Sequence, residues 1–179
     1  MVIGDDFIWL HKQKTGGLAT RAFLRKQLKN VPGVSFNNPS LGKGMTGAHH
    51  SLRQRQKADP SFSYDGKTII CGIRRLPNWI LSIVHFHVGI GNDQKLSREN
   101  LIRGEVLRGP NGGWLSADDR LLQFEPPIID SWVRQENLTD DLFAAFQGLS
   151  VEKKITQTDG VPVKNSKKTS HTKLSLIHI

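Results

Sequence analysis

At 179 residues the chain is long enough to bury a real core, and its hydrophobic fraction of 37% matches neither a disordered chain nor a membrane protein. No apolar stretch approaches the roughly twenty residues that cross a bilayer, and the first apolar run begins so near Met1 that no signal peptide is expected before it. A net charge of +9 suits an anionic partner, and one cysteine, Cys71, excludes an internal disulfide.

Phe7-Ile8-Trp9-Leu10 is a short continuous apolar run, the pattern of a strand buried on both faces in a parallel sheet. It breaks into His11-Lys12-Gln13-Lys14-Thr15-Gly16-Gly17, where the paired glycines let the backbone turn sharply and approach a ligand. From Leu18 to Leu28 the apolar residues Leu18, Ala22, Phe23 and Leu28 are interspersed with Arg21, Arg25 and Lys26, which predicts an amphipathic helix. Such a helix aims free N–H groups and its positive dipole end at whatever lies over the loop, a position that suits phosphate or sulfate. Lys14 adds a full charge and Thr15 a hydroxyl. In the common nucleotide loop G-x-x-x-x-G-K-[ST] the lysine follows the glycines, whereas here it precedes them, so an ordinary ATPase or GTPase loop is disfavoured.

Residues 31 to 66 read as loops able to bind a second substrate. They include Gly44-Met45-Thr46-Gly47-Ala48-His49-His50-Ser51, with two adjacent histidines whose intrinsic pKa suits a general base. Thr68 to Ile73 is a second β-rich run, with Cys71 expected as a core residue rather than a nucleophile. It ends in Arg74-Arg75-Leu76-Pro77, and Pro77 fits the first turn of a helix running through Ser82 towards His87. An arginine leaving a strand and a serine two helical turns on are placed to converge on one anion.

Residues 88 to 127, rich in Gly, Asn, Asp and Pro, read as irregular structure around short helices, one capped by Ser97 and one by Ser116 with Asp118 and Asp119 in its first turn. Trp114 is a sugar-stacking platform or a core aromatic, the second being the more ordinary reading. The stretch from Ile128 to Leu142 reads as a strand and then a helix capped by Asn137 or Thr139, with Leu142, Phe143, Phe146 and Leu149 on its core face. Arg134 and Glu136 are a candidate structural pair. Together these elements predict one α/β domain over residues 1–150, followed by a basic polar tail over 151–179. The tail holds six lysines against Glu152 and Asp159, and a solvated segment is expected. Its last residues, Leu174-Ser175-Leu176-Ile177-His178-Ile179, look like the translation of a sequencing-adapter read, so a natural C-terminus is expected to be missing.

The order His11-x-x-Lys14-Thr15-Gly16-Gly17 after an apolar strand resembles the 5′-phosphosulfate loop of the sulfotransferases that use 3′-phosphoadenosine 5′-phosphosulfate (PAPS), in the carbohydrate branch of that family. There the loop usually reads His-x-Pro-Lys-Thr-Gly-Gly-Thr-Ser; Gln13 replaces the proline and Leu18 the first residue after the glycines. The segment from Arg74 to Ser82 is similar to the family's 3′-phosphate site, an arginine at a strand end and a serine eight residues later, with Arg75 the alternative match. The stretch Arg134-x-Glu136-Asn137-Leu138 is similar to an architectural segment of small sulfotransferases.

The resemblance implies a three-layer α/β/α fold with a mostly parallel sheet, like that of the P-loop nucleotide hydrolases. It implies sulfuryl transfer from PAPS to a hydroxyl acceptor, favouring a carbohydrate. Lys14 would then neutralise the leaving group, Thr15, Gly16 and Gly17 would hold the 5′-phosphate, and Arg74 and Ser82 the 3′-phosphate. His49 or His50 would be the base, with His11 a competing candidate better suited to a structural role or a contact to the nucleotide. No metal is implied. A cytoplasmic location is expected, although many carbohydrate sulfotransferases are anchored in the Golgi. The alternatives are a nucleotide phosphotransferase with an atypical loop, or a non-enzymatic nucleic-acid-binding protein. Against the latter, the basic residues are not interleaved with aromatics and no base-reading module is recognisable.

Overall fold

The computed structural model describes residues 1–36, 49–89, 98–108 and 114–155. The segment 37–48, the Ser97 cap, the Trp114 side chain and the tail from 156 onward lie outside the described residues, so the expectations placed on them, including Gly44 to Ala48, have no structural counterpart here.

A five-stranded sheet organises the chain, built from β1 (Val2–Ile3), β2 (Phe7–Leu10), β3 (Ser35–Phe36), β4 (Thr68–Ile73) and β7 (Ser131–Arg134), in the order β3-β1-β2-β4-β7. β2, β4 and β7 pair in parallel, with Trp9 opposite Ile70 and Cys71 opposite Trp132, while β1 runs antiparallel to both its neighbours. The sheet is thus mostly parallel, as the sequence suggests, with β1 the reversed strand. A separate antiparallel hairpin joins β5 (Glu105–Arg108) to β6 (Trp114–Ser116).

The two apolar runs form the sheet's centre because every side chain in them has somewhere to go. Phe7 and Trp9 of β2 point to one face, where they pack with Phe23, Leu24 and Leu28 of α1 (Gly17–Leu28) and Leu138, Leu142 and Phe146 of α6 (Leu138–Phe146). Ile8 and Leu10 point to the other, joining Ile69, Cys71, Phe62, Phe124, Ile129 and Leu52, the first residue of α2 (Leu52–Ala58). β2 is buried along its whole length, and truncating a fully buried side chain such as Phe7 costs about 3–5 kcal/mol. Among the described residues, Leu52 of α2 and the connecting residues Phe62, Phe124 and Ile129 cover this second face.

The apolar stripe of α1 differs from expectation. Phe23 and Leu28 are buried, but Leu18 is 76% exposed and Ala22 is also exposed; Gly17, Thr20 and Leu24 complete the inward face instead. Positions 17, 20, 24 and 28 share one side at 3.6 residues per turn, and it is this side that is buried.

α3 (Leu76–Gly89) follows β4 with Pro77 in its first turn as predicted, and its Trp79 and Ile83 pack with Leu115 and Ala117. A short α4 (Arg98–Ile102) precedes the hairpin. Ser116 caps α5 (Ala117–Leu122) through a reciprocal capping box with Asp119. Asn137 is the N-cap of α6 by position, but its side chain bonds Asp141 rather than the helix end. The strand expected from Ile128 begins at Ser131, since Pro126 and Pro127 set a 3₁₀ turn through Ile128. Ser51 heads α2 with a second capping box, to Gln54. Among the described residues no helix is long and apolar enough to cross a membrane.

Candidate functional site

β2 and β4 are adjacent and parallel, so the loops leaving their C-terminal ends meet. In open α/β sheets that edge is where ligands bind. The loop after β2 is tightly determined: Thr15 Oγ1 donates to the Lys12 carbonyl at 2.9 Å, and the same hydroxyl lies so close to Gly72 of β4 that a Cβ there would come within 2.8 Å of it. Thr15 is buried, and its hydroxyl proton serves the loop.

Gly16 takes φ 81° and caps α1 without any side-chain hydrogen bond, and α1 has no acidic residue in its first turn. The helix therefore presents uncapped N–H donors and an unneutralised positive end. Lys14 is itself left-handed, at φ 64°, a conformation that costs a non-glycine residue roughly 1–3 kcal/mol and persists only where the surroundings over-determine it. Its Nζ sits 4.6 Å from the centre of the Phe86 ring on α3. Burial, then the charge of Arg74, pushes the Lys14 pKa down.

Arg74 leaves β4 towards this loop. Its Nη1 donates to the Lys14 carbonyl at a long 3.4 Å, and its Nε is buried with no hydrogen-bond partner among the described residues. Arg74 also lines a cavity of about 330 Å³ with Arg75, Arg134, Glu136 and Asn137. Arg75 is exposed, and its backbone N–H is taken by Glu136 Oε1, which also accepts from Asn78. Arg134 pairs with Asp141, through Nε and Nη2 at 2.7 and 2.8 Å, and not with Glu136 as its sequence neighbourhood suggested. With Arg134 neutralised, Arg74 is the cation that both faces this cavity and touches the loop. Ser82 is half-buried on α3, six residues beyond Leu76 and so roughly 9 Å along the helix axis; no hydrogen bond joins it to Arg74 among the described residues. A larger cavity, of about 550 Å³, lies beside the end of α6 among Phe143, Phe146, Lys153 and Ile155, and includes none of these loop residues.

The two histidines differ. His49 Nδ1 lies 2.9 Å from the His11 carbonyl. A carbonyl can only accept, so Nδ1 carries the proton and Nε2 holds a lone pair, which is the tautomer a general base needs. Burial lowers the His49 pKa and so favours the neutral ring, an effect that the hydrogen bond to His11 partly offsets. The His49 ring meets the His11 ring edge-on at 4.4 Å, and His11 in turn stacks on Trp9 at 5.6 Å. His11 is 5% exposed and its pKa is lowered to about 3, chiefly by burial and then by His49. It is a packing element of the loop base. His50 is half-buried, its pKa lowered by desolvation and by Arg55.

Three residues here escaped the sequence reading. Lys12 is 8% exposed, with Nζ 5.5 Å from the centre of the Trp79 ring. Trp79 Nε1 donates to the Gln13 carbonyl at 2.9 Å, and Arg120 of α5 reaches the Gln13 side chain. Trp79 was legible only as an apolar position in a helix, and Arg120 only as a basic residue near a cap. Cys71 is a free, buried thiol whose pKa burial pushes up to about 12, which removes it from nucleophilic chemistry at neutral pH. Among the described residues no group of three His, Cys, Asp or Glu side chains is arranged to hold a metal ion.

No protein-family model matches the chain, and no significant similarity joins it to a curated protein or a solved structure.

Proposed function

We propose that the protein is a PAPS-dependent sulfotransferase with a P-loop-like architecture, transferring a sulfuryl group to a hydroxyl, a carbohydrate hydroxyl by the form of its loop. The observation that carries this reading is the meeting of Lys14 and Arg74 at the ends of two adjacent parallel strands, where Arg74 touches the Lys14 carbonyl. A donor with phosphates at both the 5′ and 3′ positions of one ribose needs two neighbouring cationic anchors, one for each phosphate. The uncapped start of α1 beside Lys14 offers the first, and the arginine cavity the second.

In this mechanism the acceptor oxygen attacks sulfur in line. His49 Nε2 takes the hydroxyl proton as the new O–S bond forms. The S–O bond to the 5′-phosphate breaks, its electron pair passes to the phosphate oxygen, and adenosine 3′,5′-bisphosphate departs. Lys14 Nζ and the α1 amides stabilise the charge gathering on that oxygen, so positioning and electrostatics carry the rate. Lys14 must move off Phe86 to reach the bridging oxygen, a side-chain rotation that leaves the strained backbone in place. Arg74, with its unpartnered Nε, anchors the 3′-phosphate, with Ser82 assigned to the same group by resemblance.

Titration with adenosine 3′,5′-bisphosphate, against adenosine 5′-monophosphate and ATP with magnesium, tests the reading in wild type and Arg74→Ala. Metal-independent binding that depends on the 3′-phosphate and on Arg74 is expected. Preference for ATP with magnesium would replace this reading with phosphoryl transfer.

A further inference from the structure

Gln13 is held from two distant elements. Its carbonyl accepts from Trp79 Nε1 on α3, and its side-chain Oε1 accepts from Arg120 Nη2 on α5 at 2.7 Å. Arg120 Nη1 donates at 2.7 Å to Gln123 Oε1, so both observed acceptors of this half-buried guanidinium are neutral amides. The ion pairs found among the described residues do not involve Arg120. A guanidinium bonded to amides keeps its whole charge, and its planar fork fixes the direction of what it holds.

What it holds is the residue immediately before Lys14. The left-handed turn at Lys14 has the Thr15 hydroxyl on the Lys12 carbonyl as one local restraint, and the Arg74 bond to its own carbonyl is long. Neither of these bonds engages Gln13 itself, so on their own they leave it other conformations. The grip on Gln13 from both sides removes them, because rotating the Gln13–Lys14 peptide breaks the bond from Trp79 and swinging Gln13 outward breaks the bond from Arg120.

We propose that Arg120, acting through Gln13, is a positioning residue that keeps the loop preformed around the left-handed Lys14, so that a 5′-phosphate meets amides already aimed at it. Preorganisation of this kind appears in affinity because the ordering cost is met on folding rather than on binding. The ligand named here rests on the sulfotransferase reading, whereas the clamp does not.

The test compares wild type, Arg120→Ala, Arg120→Lys, Gln13→Ala and the Arg120→Ala/Gln13→Ala double variant. Two ligands are titrated, adenosine 3′,5′-bisphosphate and adenosine 3′-monophosphate, and amide hydrogen exchange is followed over Lys12 to Gly17 without ligand. Each alanine variant should bind the bisphosphate about tenfold more weakly, the size expected for one charge-assisted hydrogen bond. The double variant should be no weaker than either single one, since both remove the same contact. Affinity for the 3′-monophosphate should stay within twofold, loop amides should exchange faster in all three, and Arg120→Lys, which keeps the charge but not the planar fork, should recover only part of the loss. Additive losses, an equal loss for the 3′-monophosphate or unchanged loop exchange overturns the proposal. Should Arg120→Ala not fold, Gln13→Ala and Arg120→Lys carry the same comparison. Wild type binding neither ligand would end the sulfotransferase reading, while the exchange data still decide the clamp.

Discussion

Gly17 packs directly beneath the imidazole of His11, leaving no room for a side chain: a Cβ at position 17 would overlap Cδ2 and Nε2 of the ring. The close approach ties the second loop glycine to the first loop residue. His11 can then stack on Trp9 below while its carbonyl orients His49. Substituting Gly17→Ala should force the His11 ring out of its stack and cost about 1–3 kcal/mol, as overpacking of a filled interior does. Urea unfolding should show this loss. A midpoint within error of wild type would mean that the ring moves freely.

Two variants separate the charge of Lys14 from its backbone strain. Lys14→Ala and Lys14→Gly both remove the ammonium, and each should slow sulfuryl transfer by at least about a hundredfold, the scale of one lost electrostatic contact in a transition state. Only glycine accepts φ 64° without a steric penalty. Lys14→Gly should therefore be the more stable of the two, by roughly 1 kcal/mol. Transfer within a few fold of wild type in both variants would remove Lys14 from the chemistry.

The tautomer at His49 predicts unequal roles for neighbouring histidines. His49→Asn should lower kcat by about 10²–10⁴, the range for a lost general base, with little change in nucleotide affinity, whereas His50→Asn should leave kcat within a few fold. Because burial lowers the His49 pKa below its ordinary 6.5, wild-type kcat should hold to that pH and fall only beneath it. The reverse ranking of the two variants would move the base to His50.

Stability should fall on mild acidification. His11 has a pKa near 3 in the fold against 6.5 when unfolded, so below pH 6.5 the unfolded chain binds a proton that the native one refuses. Native stability from this group is complete above pH 6.5 and declines as pH drops towards 3, by on the order of 3 kcal/mol between pH 7 and pH 4. His49 and His50, also lowered by burial, add in the same direction. Asp141, whose carboxyl Arg134 holds well below its ordinary 3.8, starts to lose its contribution only at lower pH. Chemical denaturation at several pH values should show the decline steepening below 6.5, and a shallower one in His11→Gln. A flat profile from pH 7 to 5 would mean that water reaches the ring.

The amino-acid sequence by itself determined the strand, loop and helix running from Phe7 to Leu28, and the second strand and helix from Thr68 onward. Their signals are local: unbroken apolar runs for strands buried on both faces, paired glycines where the backbone must turn, and a proline at a helix start. The Ser116 cap was legible for the same reason, since its hydroxyl bonds an N–H three residues away. The two-residue strands β1 and β3 were not legible, because two residues carry no periodicity. Which side of α1 faces inward was decided by the tertiary structure, since Phe23, Leu24 and Leu28 pack with the sheet and α6 while Leu18 is left exposed. So was the surrounding of the loop. Arg120 and Gln13 are 107 residues apart and His49 and His11 are 38 apart, yet each pair shares a hydrogen bond. A contact across such separations depends on where the sheet delivers its strand ends, and no local spacing encodes it.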